Sequence, residues 1–293
     1  MPPPEGRRLE TITEYKLWSF TGGSPVATVV QRQDYRKADA YPVGSYFELA
    51  TRIAELQFHN RDHILLFRGQ AADHRNRAGY TSLKPTILRG NGGKNPSLDE
   101  LRKRYARLTA AEKILAEEYL GAGFLGLERV GRHGMVRWAI LQHYEICATP
   151  LLDVTHSLRV AASFASHDAR DEAYVFVVGV PYLSGGITVS AESGLQTIRL
   201  SSVCPPSAAR PHLQEGYLLG EYPEMSGIGQ KALYLHHEMD FGRRLVAKFR
   251  FDPGQFWKGH SFPIVGRHEL YPSSDPMLDL ARRVSARLAH EER

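Results

Sequence analysis

Three stretches of this chain set charged or polar residues at the end of apolar runs. The first is Ile64-Leu65-Leu66-Phe67-Arg68-Gly69-Gln70. A guanidinium left alone in a core costs several kcal/mol, so Arg68 must be paired or must face a ligand. Gly69 beside it lets another backbone or a ligand approach closely. Two readings follow: an anion or ligand site at a strand end, or an internal salt bridge, for instance between Arg68 and Asp153. The second stretch runs from Leu141 to Ser166. Thr149-Pro150 forces an extended entry, Leu151-Leu152 are apolar, and Asp153 follows. Thr155 and Ser157 then precede a helix of small residues. Either could cap it, and its N-terminus would attract an anion. Ala161, Ala162 and Ala165 let that helix lie close to a sheet. His143-Tyr144 reads as a stacking pair or as buried fill. The third stretch holds Arg210, Gln214 and Glu215 directly before Gly216. A carboxylate there could do acid–base work or stabilise a cation; the alternative is an exposed turn residue.

Other features carry less. His236-His237-Glu238 has adjacent imidazoles that point different ways and lack zinc spacing. Cys147 lies near His143, but no third partner or depressed thiol pKa supports a thiol protease. The chain has no GxSxG elbow, no GxGxxG opening a βα unit and no GxxxxGK[ST], so a Rossmann or P-loop nucleotide site is not expected.

The elements that must position these residues follow from patterning. Residues 1–42 read as an irregular leader with a short strand at Ala27–Gln31. Ser45 and Glu48 form a reciprocal cap for a helix whose face is Phe47, Ala50, Ile53, Ala54 and Gln57. His63–Phe67 is the first clear strand, and residues 69–96, rich in Gly, Asn, Asp and Pro, read as loops. Ser97 with Glu100 caps a helix over 97–120, striped by Leu98, Leu101, Tyr105, Leu108 and Leu115. Helical segments follow at Val136–Tyr144 and Ser157–Phe164. Ala173–Val180 reads as a buried strand, with further strands at Thr197–Leu200, Tyr217–Leu219 and Leu245–Phe251. A last helix starts at Ser274 or Asp275, with Pro276 in its first turn and Met277, Leu280, Ala281, Val284 and Leu288 on one face. Helices dominate the first half and strands the second, which favours an α+β fold with a helical N-terminal half packed on a mixed or antiparallel β core.

The 293 residues can bury a sizeable core. No apolar run approaches the ~20 residues of a membrane span, and the N-terminal Met-Pro-Pro-Pro lacks the apolar segment of a signal peptide, so a cytoplasmic protein with no membrane partner is expected. The two cysteines, Cys147 and Cys204, make neither a disulfide scaffold nor a zinc knuckle, and no metal is expected. A formal charge of +5 permits contact with nucleic acid or phosphates without demanding it. Arg102-Lys103-Arg104 and Arg282-Arg283 read as solvated helix faces.

In this order the stretches resemble the FRG domain family. Phe67-Arg68-Gly69-Gln70 is similar to its naming motif, and Leu83-Lys84-Pro85-Thr86-Ile87-Leu88-Arg89 to its Leu-x-Pro-Ser-x-x-Arg segment. Gln142-His143-Tyr144 with Thr149-Pro150-Leu151-Leu152-Asp153-x-Thr155 resembles its central signature, followed by Ala161-Ala162-x-Phe164-Ala165. Arg210-x-x-x-Gln214-x-Gly216-Tyr217 resembles its late motif, and Glu269-Leu270-Tyr271-Pro272 its C-terminal segment. The resemblance divides the chain into an N-terminal extension, 1–44, and an FRG domain, 45–285. The family usually has Gly after His-Tyr, where this chain has Glu145; Pro150 and Val154 also depart from it.

A weaker resemblance is to ADP-ribosyltransferases, whose layout is a strand-end Arg-Gly, a Ser/Thr pair entering a helix, and a late Gln/Glu motif. It implies an ADP-ribosyltransferase-like fold and an NAD-consuming enzyme, transferase or NAD glycohydrolase, of a toxin or defence-effector type. NAD would be the substrate, with a protein or nucleic acid as acceptor. Arg68, Thr155 and Glu215 would be catalytic. Gly69, Gln70, Arg89, His143, Tyr144, Asp153, Ser157, Arg210 and Gln214 would bind, with Tyr144 stacking on the nicotinamide. The alternatives are a non-catalytic module for a nucleotide or phosphate ligand, or a nucleic-acid-directed modifier.

Overall fold

The computed structural model describes residues 16–21, 23–30, 34–90, 95–227, 229, 240–258 and 262–291. The His236-His237-Glu238 cluster and Gln31, the end of the expected first strand, lie outside them.

Strands β1 (Leu17–Ser19) and β2 (Thr28–Val30) pair antiparallel. Eight further strands build one sheet: β3 (Tyr41–Pro42), β4 (Ile64–Gln70), β5 (Leu152–Thr155), β6 (Ala173–Val180), β7 (Ile187–Ser190), β8 (Leu195–Arg199), β9 (Gly216–Glu221) and β10 (Leu245–Phe251). Their order is β3-β10-β6-β4-β5-β9-β8-β7. All neighbours run antiparallel except β3 and β10, which makes the sheet mixed. Five longer helices cover it: α1 (Tyr46–His59), α2 (Leu98–Ala122), α3 (Gly134–His143), α4 (Leu158–Asp168) and α5 (Met277–Glu291). The chain is thus a mixed α/β structure, and β4, from the first half, sits at the centre of the sheet.

The sheet is well sewn on either side of β4 and β5 but not between them. β4 pairs with β6 along its whole length, from Ile64↔Val180 to Gln70↔Tyr174. β5 pairs with β9 from Leu152↔Leu219 to Thr155↔Gly216. Between β4 and β5 the single registered pair is Phe67↔Thr155. Two apolar clusters follow this division. One gathers β4, β6 and β10 with α1 and α4. The other gathers α2, α3 and α5 with Ile198 and Leu218.

Several expectations shift. The segment before α1 is not merely irregular: Leu17 and Phe20 are buried in the first cluster, and β3 joins the sheet edge. The buried stripe of α1 is Leu49, Ile53 and Leu56, at i, i+4 and i+7, whereas Phe47 is 73% exposed and Ala54 and Gln57 face solvent. The Ser45 hydroxyl accepts from the Glu48 N–H (3.2 Å), but the Glu48 carboxylate accepts from Gly44 N–H (2.8 Å), one residue earlier than a strictly reciprocal cap. Leu98, expected in the α2 stripe, is exposed. The last helix begins at Met277, so Pro276 precedes it, and all five expected apolar positions of α5 are buried. Arg102 and Arg282 pair with Asp99 and Asp279 on exposed helix faces, whereas Arg104 is largely covered, donating to the Ile87 and Arg89 carbonyls as well as pairing with Glu100, and Arg283 joins α5 to α2 through Glu118. Among the described residues no helix is long and apolar enough to cross a membrane.

Candidate functional site

A cavity of about 240 Å³ opens where β4 and β5 part. Arg68 and Gly69 enter it from β4, Asp153 and Thr155 from β5, and Gln214 from the turn before β9. His143 and Glu145, at the end of α3, close another side. The three stretches separated in sequence therefore meet around one space.

Gly69 is needed for packing. α4 crosses β4 so closely that a Cβ on Gly69 would lie 1.8 Å from the Ala161 carbonyl oxygen and 2.7 Å from the Ala165 nitrogen. The close approach read from the sequence is that of a helix backbone, and the fully buried Ala161 and Ala165 are its other half.

Arg68 does not form the expected salt bridge. Its Nη1 donates to the Asp153 backbone carbonyl (2.6 Å), while the Asp153 carboxylate accepts from Gln142 Nε2 (2.7 Å). Gln142 is itself held by the Thr149 hydroxyl (2.9 Å). Burial pushes the Arg68 guanidinium down to about 10, against the charge of Asp153, so it stays charged at neutral pH. Its Nε is buried without a hydrogen-bond partner among the described residues. His143 behaves alike: burial pushes it down to about 4, and its Nε2 is buried and unpartnered. It is a neutral imidazole at pH 7. Buried polar atoms are paired in the great majority of cases, so two orphans on side chains that line one cavity mark it as a candidate ligand site.

The Thr155 hydroxyl is committed to the scaffold. It donates to the Gln214 carbonyl (2.7 Å), lies 3.2 Å from that of Glu215, and accepts from Ser157 N–H (3.0 Å). It ties β5 to the turn before β9. Ser157 occupies the N-cap position of α4 without a side-chain capping bond and does not line the cavity. Gln214 does line it: the side chain is buried, Nε2 donating to the Leu270 carbonyl (2.7 Å), which leaves the amide oxygen to accept. Glu215, expected as the catalytic carboxylate, is exposed and is not among the lining residues. The reason is the chain's turn: at φ +45° residue 215 rotates its side chain out of the line of the strand.

Tyr144 is also displaced from its expected role. Its hydroxyl donates to Asp275 Oδ2 (2.8 Å), which also receives Arg210 N–H (2.9 Å), while Asp275 Oδ1 caps α5 through Met277 N–H (3.0 Å). The Arg210 guanidinium packs over Tyr144 (5.5 Å) and Tyr271 (4.7 Å). Both residues brace the wall without lining it. The phenyl and phenol rings among the described lining residues are those of Phe67, Phe164, Tyr217 and Tyr271. Gln70 and Arg89 line an adjoining recess instead.

Sequence reasoning missed Glu145, Asp168 and Tyr271 as lining residues. Glu145 left a signal: it stands where the resembled family has Gly, and its φ of +58° is the left-handed region that favours Gly. Cys204, buried with its thiol pushed up to about 12, is no nucleophile. Among the described residues no cluster of His, Cys, Asp and Glu is arranged to hold a metal ion.

No curated protein and no solved structure matches the chain. The FRG domain family model does match, over residues 63–173, which span β4, α2, α3, β5, α4 and the start of β6. Gln214 and Tyr271 complete the cavity from beyond that span. With Phe-Arg-Gly on its central strand and Gln-His-Tyr and Leu-Leu-Asp around the same cavity, this chain carries an FRG domain.

Proposed function

We propose that the cavity binds NAD and that the protein breaks its nicotinamide–ribose bond, as an ADP-ribosyltransferase or an NAD glycohydrolase. The observation that supports this best is the pair of unpartnered buried nitrogens, Arg68 Nε and His143 Nε2, in a cavity whose other charged side chains are Glu145, Asp153 and Asp168. One buried cation among carboxylates complements a ligand that carries a positive ring next to phosphates, as NAD does. Arg68 would hold a phosphate oxygen. The Gln214 amide oxygen would accept from a ribose hydroxyl. As the N–C1′ bond breaks, its electron pair passes to the ring nitrogen and the ribose gains oxocarbenium character, as in glycoside hydrolysis. Glu145, which lines the cavity, would stabilise that charge. The adjacency of β4, β5 and β9, which brings the three motifs to one cavity, supports this reading.

A second reading, a module that binds a nucleotide without turning it over, draws on the engaged Thr155 hydroxyl and on the outward Glu215. One assay separates the two. Purified protein is incubated with NAD, with and without cell extract, and released nicotinamide is measured. Turnover is expected, with Glu145→Gln slowing it by about 10-fold or more and Glu215→Gln leaving it within about twofold, as for a group that does not touch the reacting atoms. Saturable binding without turnover supports the second reading. Neither binding nor turnover overturns both.

A further inference from the structure

Next to the cavity lies a wider recess of about 910 Å³. The two spaces meet at the end of β4, where Gly69 lines the cavity and Gln70 the recess. His74, Arg75, Arg77, Lys84 and Arg89 line the recess, and no Asp or Glu is among its described lining residues. Among its described lining residues Arg75 alone is in an ion pair, with Asp73 (3.1 Å) and Asp39 (3.3 Å). Lys84 Nζ donates to the Asn95 amide oxygen (2.9 Å) and Arg89 Nε to the Lys84 carbonyl (2.9 Å), both uncharged acceptors. Arg77 makes no hydrogen bond or ion pair among the described residues. The charge of Asp153 acts on both Arg89 and Arg68, though neither guanidinium forms an ion pair with it among the described residues.

These cations stand on a braced support. Residues 74–82 form a tight loop closed by the Arg75↔Thr81 bridge, with Asn76 Oδ1 accepting from Ala78 N–H (3.0 Å) and Tyr80 N–H (3.1 Å). Its base is fastened to β10 by Lys248, whose Nζ donates to Thr81 Oγ1 (2.7 Å) and Asp73 Oδ2 (2.8 Å). Arg77 is at the loop's tip, and Lys84 and Arg89 lie on the segment that follows. Cations spread over so wide an opening suit a row of phosphates better than one. No Phe, Tyr or Trp is among its described lining residues, which offers bases little surface to stack on.

We propose that the recess is a docking groove for the phosphodiester backbone of a single-stranded nucleic acid, held by Arg77, Lys84 and Arg89 without reading the bases. This goes beyond the proposed function and does not depend on it. Contacts to phosphate position a strand but carry no sequence information.

The test uses the full chain and fluorescently labelled single-stranded oligonucleotides of several sequences, followed by anisotropy. Three neutralised phosphates predict a slope near −2 in log K against log salt, or about twentyfold weaker binding between about 50 and 200 mM salt, alike for every sequence. Arg77→Glu with Lys84→Glu should weaken binding at least tenfold while nicotinamide release and melting temperature hold; Arg77→Gln alone, at the exposed tip, serves if the double variant is unstable. Absent or salt-independent binding overturns the proposal, as does unchanged affinity in the variants. Inorganic pyrophosphate binding as tightly as the oligonucleotide also overturns it, since a row of phosphates would then be unnecessary. Loss of nicotinamide release with oligonucleotide binding intact would instead count against the NAD reading alone.

Discussion

At the scale of single residues, Gly69 and His143 carry the most testable consequences. A methyl group at Gly69 would fall inside the Ala161 carbonyl, which is backbone and cannot rotate aside. Gly69→Ala is expected to destabilise the protein by about 3 kcal/mol, at the upper end of overpacking, measured by urea unfolding. His143 makes stability depend on pH. Its folded pKa of about 4 lies below the ordinary histidine value of 6.5, so on acidification the unfolded chain takes up the proton first. The stability due to the neutral imidazole is complete above pH 6.5 and is lost as the pH falls toward 4. The loss is expected to be up to about 3 kcal/mol from the pKa difference, and His143→Gln should flatten that part of the pH profile.

At the scale of elements, the parting of β4 and β5 makes the site. Antiparallel strands normally pair along their length; these share one pair, the gap is spanned by Arg68 donating to the Asp153 carbonyl, and Thr155 fixes the β5 side to the turn at 214–215. Thr155→Val keeps the shape but strips the bonds to Gln214 and Ser157. It should cost roughly 1–3 kcal/mol and weaken ligand binding by freeing Gln214, read by thermal melting and by titration with NAD. Much of this architecture was legible. Ala173–Val180 and Leu245–Phe251 occupy the strands expected of them, because continuous β-branched and aromatic runs signal buried strands. The α5 stripe was equally plain. The phase of α1 was not, because Phe47 looks like a core residue and its exposure is decided by what packs on the other face. Neither could spacing reveal that Glu145 and Glu215 adopt positive φ, since both turns are imposed by the chain on either side.

At the scale of the whole molecule, the charged groups divide between two neighbouring spaces. The cavity holds one buried cation among carboxylates; the recess holds cations and no carboxylate among its described lining residues. A net charge of +5 by itself could not reveal that division, because it arises from how β4, the 74–82 loop and the Lys84–Arg89 segment fold against one another. The order of motifs in the sequence did reveal that Arg68, Thr155 and the Gln214-Glu215 pair converge, but not which member of the pair faces inward. The most direct test of the NAD site is a crystal structure of the protein soaked with a non-hydrolysable NAD analogue. Ligand density is predicted in the cavity, within hydrogen-bond distance of Arg68, His143 and Gln214. Density for the analogue at another place on the surface, or none in the cavity at saturating concentration, would contradict it.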